Sequence, residues 1–131
     1  MDGKAWNYEM IGHSEKSVEA YCKPANVNKD KLRAFETPCI DDSQLSQADH
    51  EAVGELSAVA ARIVLKALYV ARLGRADCLW TINDLARKVT KWSKACDKRL
   101  YRLISYMWHT RNHVQHCYVG NEPEDCLIGV F

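Results

Sequence analysis

Hydrophobic positions recur at the three- and four-residue spacing of an amphipathic helix over much of the chain. Residues 51–73, 77–89 and 94–108 each carry such a stripe and predict three helices. Gly74 is expected to end the first helix in a left-handed conformation, and Ser93 is expected to cap the third. The pattern favours a mainly α fold of the α+β type, with two to three amphipathic helices.

Shorter patterns lie on either side of these helices. Residues 5–11 and residues 114–119 alternate between polar and apolar positions, which is typical of half-buried strands. A short helix is predicted to begin at Ser14 as its cap and to end at Pro24. The polar stretch 36–50 breaks all periodicity and is predicted to be an exposed linker. Short strands are therefore expected to flank the helical region.

The chain is predicted to form one domain from three consecutive segments. Residues 1–49 hold the first strand, the short helix and the linker, residues 50–110 form the helical region, and residues 111–131 form a strand segment. At 131 residues, with 47% hydrophobic side chains, the chain has room for one ordinary core. It has neither a signal-peptide pattern nor an apolar run long enough to span a bilayer. We therefore expect an intracellular protein, cytoplasmic or nuclear, that is not secreted and has no membrane partner.

A net charge of +1 hides a strong asymmetry. Residues 62–111 carry 12 basic and 3 acidic side chains, whereas residues 1–61 carry 6 basic and 11 acidic ones. Clustered cations favour contact with a phosphate backbone, although a solvated helix face is the common alternative. Trp92 lies among these cations, where its ring could stack beside a nucleic acid. We define the basic ridge as Arg87, Lys88, Lys91, Lys94, Lys98, Arg99 and Arg102.

The most specific motifs lie between residues 72 and 110. An Arg-x-Asp step precedes one apolar helix, and a Tyr-x-x-x-Thr spacing closes the next. The motif residues are Arg75, Asp77, Asn83, Tyr106 and Thr110. Together they resemble the end of the reverse transcriptase region in copia-type LTR retrotransposon Pol polyproteins, with Ala76 in place of the family's usual proline. A weaker likeness covers residues 30–131, in which 127–131 resemble the opening strand of a ribonuclease H domain.

The resemblance implies an incomplete domain, an α+β fragment. In the family, residues 50–110 would be the helical thumb or connection region, and residues 111–131 would be a strand segment entering a truncated ribonuclease H-like domain. The chain would thus lie between two catalytic centres without the catalytic carboxylates of either. The parent family is an RNA-directed DNA polymerase with ribonuclease H, and its Mg²⁺ ions bind at those centres. No cofactor and no catalytic residue are therefore expected in this chain. The implied role is to position an RNA/DNA template–primer duplex through the basic ridge, as part of the Pol polyprotein. The alternative is a small structural or protein-interaction helical module that does not bind nucleic acid.

Two local patterns suggest further chemistry but have simpler explanations. Residues 39–42 superficially resemble a polymerase metal-binding turn, yet they follow a Thr-Pro step in a polar stretch, which favours a solvated acidic loop. A second group has the chemistry of zinc ligands but contains no Cys-x₂-Cys pair. Its members are His109, His113, His116, Cys117 and Cys126. We expect no metal site, and we expect Cys78 and Cys96 to be reduced thiols on apolar helix faces.

Overall fold

The computed structural model describes residues 4–125 and Leu127. Its α-helices are α1 (Ile11–Ala25), α2 (Gln47–Glu51), α3 (Ala60–Gly74), α4 (Leu79–Ala86) and α5 (Lys94–His109). Its strands are β1 (Lys4–Tyr8) and β2 (Gln115–Val119). Single turns of 3₁₀ helix occur at Lys29–Lys31, Asp42–Gln44, Ala76–Cys78, Val89–Lys91 and Pro123–Asp125. Within the described residues the fold is mainly α with one small sheet, which confirms the predicted class.

Four of the helices pack in a ring around one core. Helix α1 contacts α3, α3 contacts α4, α4 contacts α5, and α5 returns to α1, while α2 packs on α5. Each of the four contributes fully buried side chains, among them Val18, Ile63, Ile82, Leu100 and Ile104. Because short helices are marginal in isolation, this shared burial is what stabilises them. The core therefore joins the N-terminal segment to the helical region, and the predicted boundary at residue 49 falls inside α2.

The two strands form an antiparallel pair in which Trp6 lies opposite Cys117. Both predicted strands are confirmed, although the first ends at Tyr8 and the second begins at Gln115. Their pairing brings the two ends of the described chain together. The strand predicted at residues 127–131 lies outside the described residues, apart from Leu127.

Helix α1 differs from its prediction at both ends. It begins at Ile11, so Ser14 is buried inside the first turn and caps nothing. Pro24 lies inside the last turn. Asn26 caps the end of the helix, and its φ of 54° is left-handed. The Asn26 backbone N–H donates to the carbonyls of Cys22 and Lys23, which would otherwise lack a hydrogen-bond donor at the end of the helix. The stop signal is therefore the asparagine and not the proline.

The long helix predicted at residues 51–73 begins only at Ala60. Before it, residues 52–59 form a loop that is fixed by backbone pairing with the segment leading into α5. The Gly54 N–H donates to the Trp92 carbonyl at 3.1 Å, and the Lys94 N–H donates to the Ala52 carbonyl at 2.9 Å. These long-range hydrogen bonds compete successfully with the helical pattern of the local sequence.

The predicted end at Gly74 is confirmed, because Gly74 is the last residue of α3. The predicted left-handed conformation is wrong, because the φ of Gly74 is not positive. A Cβ at this position would lie 2.5 Å from Cγ of Met10, at the start of α1. Glycine is needed here because two segments approach closely. The third predicted helix is confirmed as α5, with the Ser93 hydroxyl accepting the Cys96 N–H at 3.4 Å. The second is shorter than predicted, since 3₁₀ turns flank α4.

Replacing Gly54 with alanine is expected to lower the free energy of unfolding by about 1–3 kcal/mol. A Cβ there would lie 2.6 Å from both the Ser93 carbonyl oxygen and the Trp92 ring, so the loop would have to move. Gly12→Ala is the matched control, because its Cβ would meet nothing within 4 Å. Urea unfolding of both variants measures the difference. Equal stabilities would contradict the close packing of this loop on α5.

Candidate nucleic-acid interface

The basic ridge is divided between two grooves at the α4–α5 side of the molecule. Lys94, Lys98 and Arg102 line a groove of about 410 Å³ that also contains Phe35. Lys88 and Arg99 line a separate groove of about 400 Å³ together with acidic residues. The helical spacing of these cations is as the sequence indicates, but their side chains have different surroundings.

Asp84 on α4 neutralises part of the ridge. Its carboxylate accepts hydrogen bonds from Lys88 at 2.8 Å and from Arg99 at 2.9 Å, and Arg87 approaches it at 3.5 Å. Burial alone would raise the pKa of Asp84, but the two hydrogen-bonded cations outweigh burial and lower it. The carboxylate is therefore charged at neutral pH and holds these side chains against the protein.

The segment 36–50, predicted to be an exposed linker, is mostly exposed and also contacts the ridge. Asp42 pairs with Arg99 at 2.6 Å, and Asp49 pairs with Lys98 at 2.7 Å. A few residues earlier, Thr37 accepts two hydrogen bonds from the Arg102 guanidinium, at 3.1 Å on its carbonyl and 2.8 Å on its hydroxyl.

The order of this segment has a local cause as well. It contains α2, which begins with a capping box: the Ser46 hydroxyl accepts the Asp49 N–H, and the Asp49 carboxylate accepts the Ser46 N–H. Nearer its start, Cys39 Sγ lies 2.8 Å from Thr81 Oγ1 on α4. The predicted exposure of this segment is confirmed for most of its residues, but several of its polar side chains also have specific partners that are distant in sequence.

Three ridge cations keep their charge available to solvent. The Arg87 side chain is 74% exposed and makes only the long contact to Asp84. Lys91 and Lys94 are exposed, and neither has an ion pair within residues 4–125. All three lie at or near the joint between α4 and α5, so the free positive charge is concentrated there.

The prediction that Trp92 could stack on a nucleic acid is wrong, because its ring is 4% exposed. The indole N–H donates to the Asp97 carboxylate at 2.6 Å, and the same carboxylate accepts the backbone N–H groups of Glu55 at 2.6 Å and Leu56 at 3.4 Å. Asp97 thereby fixes the loop before α3 over the joint and encloses the ring. The exposed aromatic ring on this side is Trp80 on α4, at 67%.

Four of the five motif residues meet in one hydrogen-bonded cluster. The Arg75 guanidinium is 2% exposed and donates to both carboxylate oxygens of Asp77, at 3.1 and 2.9 Å. It also donates to the Thr110 carbonyl at 3.0 Å and hydroxyl at 2.6 Å. The Tyr106 hydroxyl donates to Asp77 at 2.6 Å. This cluster ties the turn before α4 to the end of α5, while Asn83 stays exposed on α4 and outside it.

The cluster fixes the charge of its members. Burial alone would lower the pKa of Arg75 and raise that of Asp77, but their mutual hydrogen bonds reverse both shifts. Burial and the hydrogen bond to Asp77 raise the pKa of Tyr106 to about 12, so it remains a donor. Because every strong donor here has a protein acceptor, the cluster is a structural brace.

The two remaining candidate sites are the possible zinc ligands and the polymerase-like turn. Within the described residues, no three side chains of His, Cys, Asp or Glu converge as metal ligands would. His109 instead contacts the Leu32 carbonyl at 2.7 Å, and His116 contacts Asn7 at 2.6 Å. Cys126 lies outside the described residues. Asp41, from the supposed polymerase turn, accepts the Ser43 N–H at 2.8 Å.

Two further sequence predictions concern the cysteine thiols and the absence of a membrane-spanning helix. Cys78 and Cys96 are buried reduced thiols, as expected from their positions on apolar faces. Across residues 4–125, none of the helices has both the length and the apolar character needed to cross a bilayer.

The pKa of Asp49 should be about 2, well below its ordinary 3.8, because Lys98 and the Ser46 N–H donate to its carboxylate. Lys98→Gln is expected to raise this pKa towards 3.8, whereas Lys94→Gln should leave it unchanged. NMR titration of the carboxyl carbon measures both. A lowered folded-state pKa means that this interaction stabilises the fold above pH 3.8 and is lost as the pH falls towards 2. An unshifted Asp49 in the unmodified chain would contradict the ion pair.

Comparison with known proteins finds a similarity to a retrotransposon polyprotein. The chain is similar to the truncated transposon Ty1-A Gag-Pol polyprotein of Saccharomyces cerevisiae, with 29% identity over 130 residues. The similarity covers 94% of this chain and 11% of that relative. No family model matches the chain. No solved structure matches it either.

Proposed function

We propose that the chain is the non-catalytic C-terminal part of a copia-type reverse transcriptase region, next to ribonuclease H, and that it holds an RNA/DNA duplex. The similarity to a Gag-Pol polyprotein over nearly the whole chain supports the parent class. The motif residues support the position within that parent, because Arg75, Asp77, Tyr106 and Thr110 form one hydrogen-bonded brace where the resemblance is most specific.

The observation that carries the nucleic-acid role is the free charge at the α4–α5 joint. Arg87, Lys91 and Lys94 are exposed and close in sequence, and phosphate contacts require cations that are not already neutralised. In this proposal these three make the direct contacts. The other members of the ridge, Lys88, Lys98, Arg99 and Arg102, organise the surface through their protein partners.

A structural or protein-interaction module remains the second candidate, and one observation favours it. Five of the seven ridge cations have a partner among Asp42, Asp49, Asp84 and Thr37, although the contact of Arg87 with Asp84 is long, at 3.5 Å. A surface whose charges are balanced internally has less attraction for phosphates.

Equilibrium binding of a fluorescent RNA/DNA hybrid to the whole chain at low salt separates the two candidates. The first requires saturable binding that weakens as salt rises, because released counterions drive phosphate contacts. Absence of binding at low salt would leave the second.

A further inference from the structure

Helix α3 presents an apolar stripe to solvent on the side opposite its buried face. Leu65, Tyr69 and Leu73 follow one another at intervals of four residues and are 61%, 53% and 45% exposed. Large apolar side chains that are adjacent on a surface mark interaction sites more often than single exposed ones do. We define the α3 outer face as this stripe together with the flanking cations Arg62, Lys66 and Arg72.

The α3 outer face is uniformly basic where it is charged. Helix α3 contains no acidic residue. None of its three flanking cations has an ion pair within residues 4–125. The apolar stripe is therefore bordered by positive charge that is not neutralised.

The face continues into a groove between α1 and α3. The groove has a volume of about 410 Å³, is lined mainly by His13, Lys16, Arg62, Leu65, Lys66 and Tyr69, and has no carboxylate in its lining. The His13 ring meets the Tyr69 ring edge-on at 5.4 Å, which forms one wall. A neighbouring groove of about 630 Å³ shares Lys16, Arg62 and Lys66 and adds Lys23 and one carboxylate, Glu19, so cations outnumber carboxylates in its lining. The surface is thus concave, apolar at its centre and basic at its rim.

We propose that the α3 outer face and its groove bind an acidic amphipathic helix of a partner protein. Such a helix places apolar residues at i, i+4 and i+7 into a groove, and carboxylates on either side would meet the basic rim. The surface differs from the α4–α5 joint, since the two share no helix. The proposal therefore holds whether or not the joint binds nucleic acid.

Three other occupants fit the surface less well. A second copy of this chain, packed face to face, would place Arg62, Lys66 and Arg72 against the same cations. A nucleic-acid backbone would satisfy the cations but would leave the exposed leucines without an apolar contact. A bilayer surface is flat on this scale and would not fill the groove between α1 and α3.

The test uses a fluorescent synthetic peptide helix with leucines at i, i+4 and i+7 and glutamates on both flanks. Its control replaces every glutamate with lysine. The whole chain is expected to bind the acidic peptide saturably and the basic peptide not at all. Leu65→Ser combined with Tyr69→Ser should weaken binding at least about tenfold, because two apolar anchors are lost. Trp80→Ser, which removes an exposed ring on α4, should leave the affinity unchanged.

Because all three positions are exposed, the variants are expected to fold. Circular dichroism of each variant verifies this. Equal affinity for the acidic and basic peptides would overturn the proposal, as would unchanged binding by the double variant. Two competition outcomes would overturn it as well. Displacement of the peptide by an RNA/DNA hybrid would assign the face to nucleic acid, and displacement by anionic phospholipid vesicles would assign it to a membrane. Self-association that the double variant abolishes would assign it to a second copy.

Discussion

Arg75→Met is expected to lower the free energy of unfolding by about 3 kcal/mol. The substitution removes a guanidinium that is 2% exposed and donates to Asp77 and Thr110. It therefore leaves acceptors without donors where the turn before α4 meets the end of α5. We expect the low end of the range for broken buried ion pairs, because the Asp77 side chain is 39% exposed and recovers some water. Thermal or urea unfolding gives the value.

Two matched variants sharpen this measurement. Arg72→Met removes a cation at the exposed end of α3 and should change stability by no more than about 0.5 kcal/mol. Tyr106→Phe removes one hydrogen bond to Asp77 and should cost about 1 kcal/mol. A loss in Arg75→Met no larger than that in Arg72→Met would show that the cluster does not brace the fold.

The pH dependence of the same cluster has a definite sign. The Arg75 and Tyr106 hydrogen bonds lower the pKa of Asp77 below its ordinary 3.8 despite its partial burial. The stabilisation is therefore complete above pH 3.8 and is lost as the pH falls through the folded-state pKa. The difference between the unmodified chain and Arg75→Met should accordingly shrink at acid pH.

Lys91→Gln combined with Lys94→Gln is expected to weaken binding of an RNA/DNA hybrid at least about tenfold, since each lost phosphate contact is worth roughly 1 kcal/mol. Both side chains are exposed and have no ion pair in the described part of the chain, so stability should not change. Fluorescence anisotropy at low salt measures the affinity.

The matched control is Arg62→Gln combined with Arg72→Gln, which removes the same charge from α3. If the joint makes the contacts, the control should retain most of the affinity, because only the long-range attraction falls. Equal losses in the two double variants would mean that net charge, and not the α4–α5 joint, determines binding.

Periodicity predicted the helices better than it predicted their ends. The stripe of α5 and the cap at Ser93 were evident because both signals are local. The start of α3 was not, since apolar Leu56 extends the helical pattern although Gly54 pairs with Trp92 instead. Gly74 was correctly predicted to end α3, but in a left-handed conformation, because the sequence does not reveal that Met10 packs against it.

The charge pattern of the sequence did not predict which cations are paired, because the pairing depends on contacts between distant segments. Residues 36–50 and the basic ridge are separated in sequence, so the pairing of Asp42 with Arg99 and of Asp49 with Lys98 has no local signal. Burial of Trp92 likewise depends on a loop that precedes α3. By contrast, the resemblance to a known family selected four residues that the fold then brings together, although their spacing alone gives no reason for it.

The salt dependence of hybrid binding tests the central claim, that Arg87, Lys91 and Lys94 hold a nucleic-acid duplex. Three phosphate contacts predict a slope of about −2.7 in a plot of log affinity against log salt, or roughly a fortyfold loss between 50 and 200 mM. A slope near −6 would mean that the whole ridge binds and that its internal ion pairs open. Absence of binding at low salt, or a slope near zero, would contradict the account.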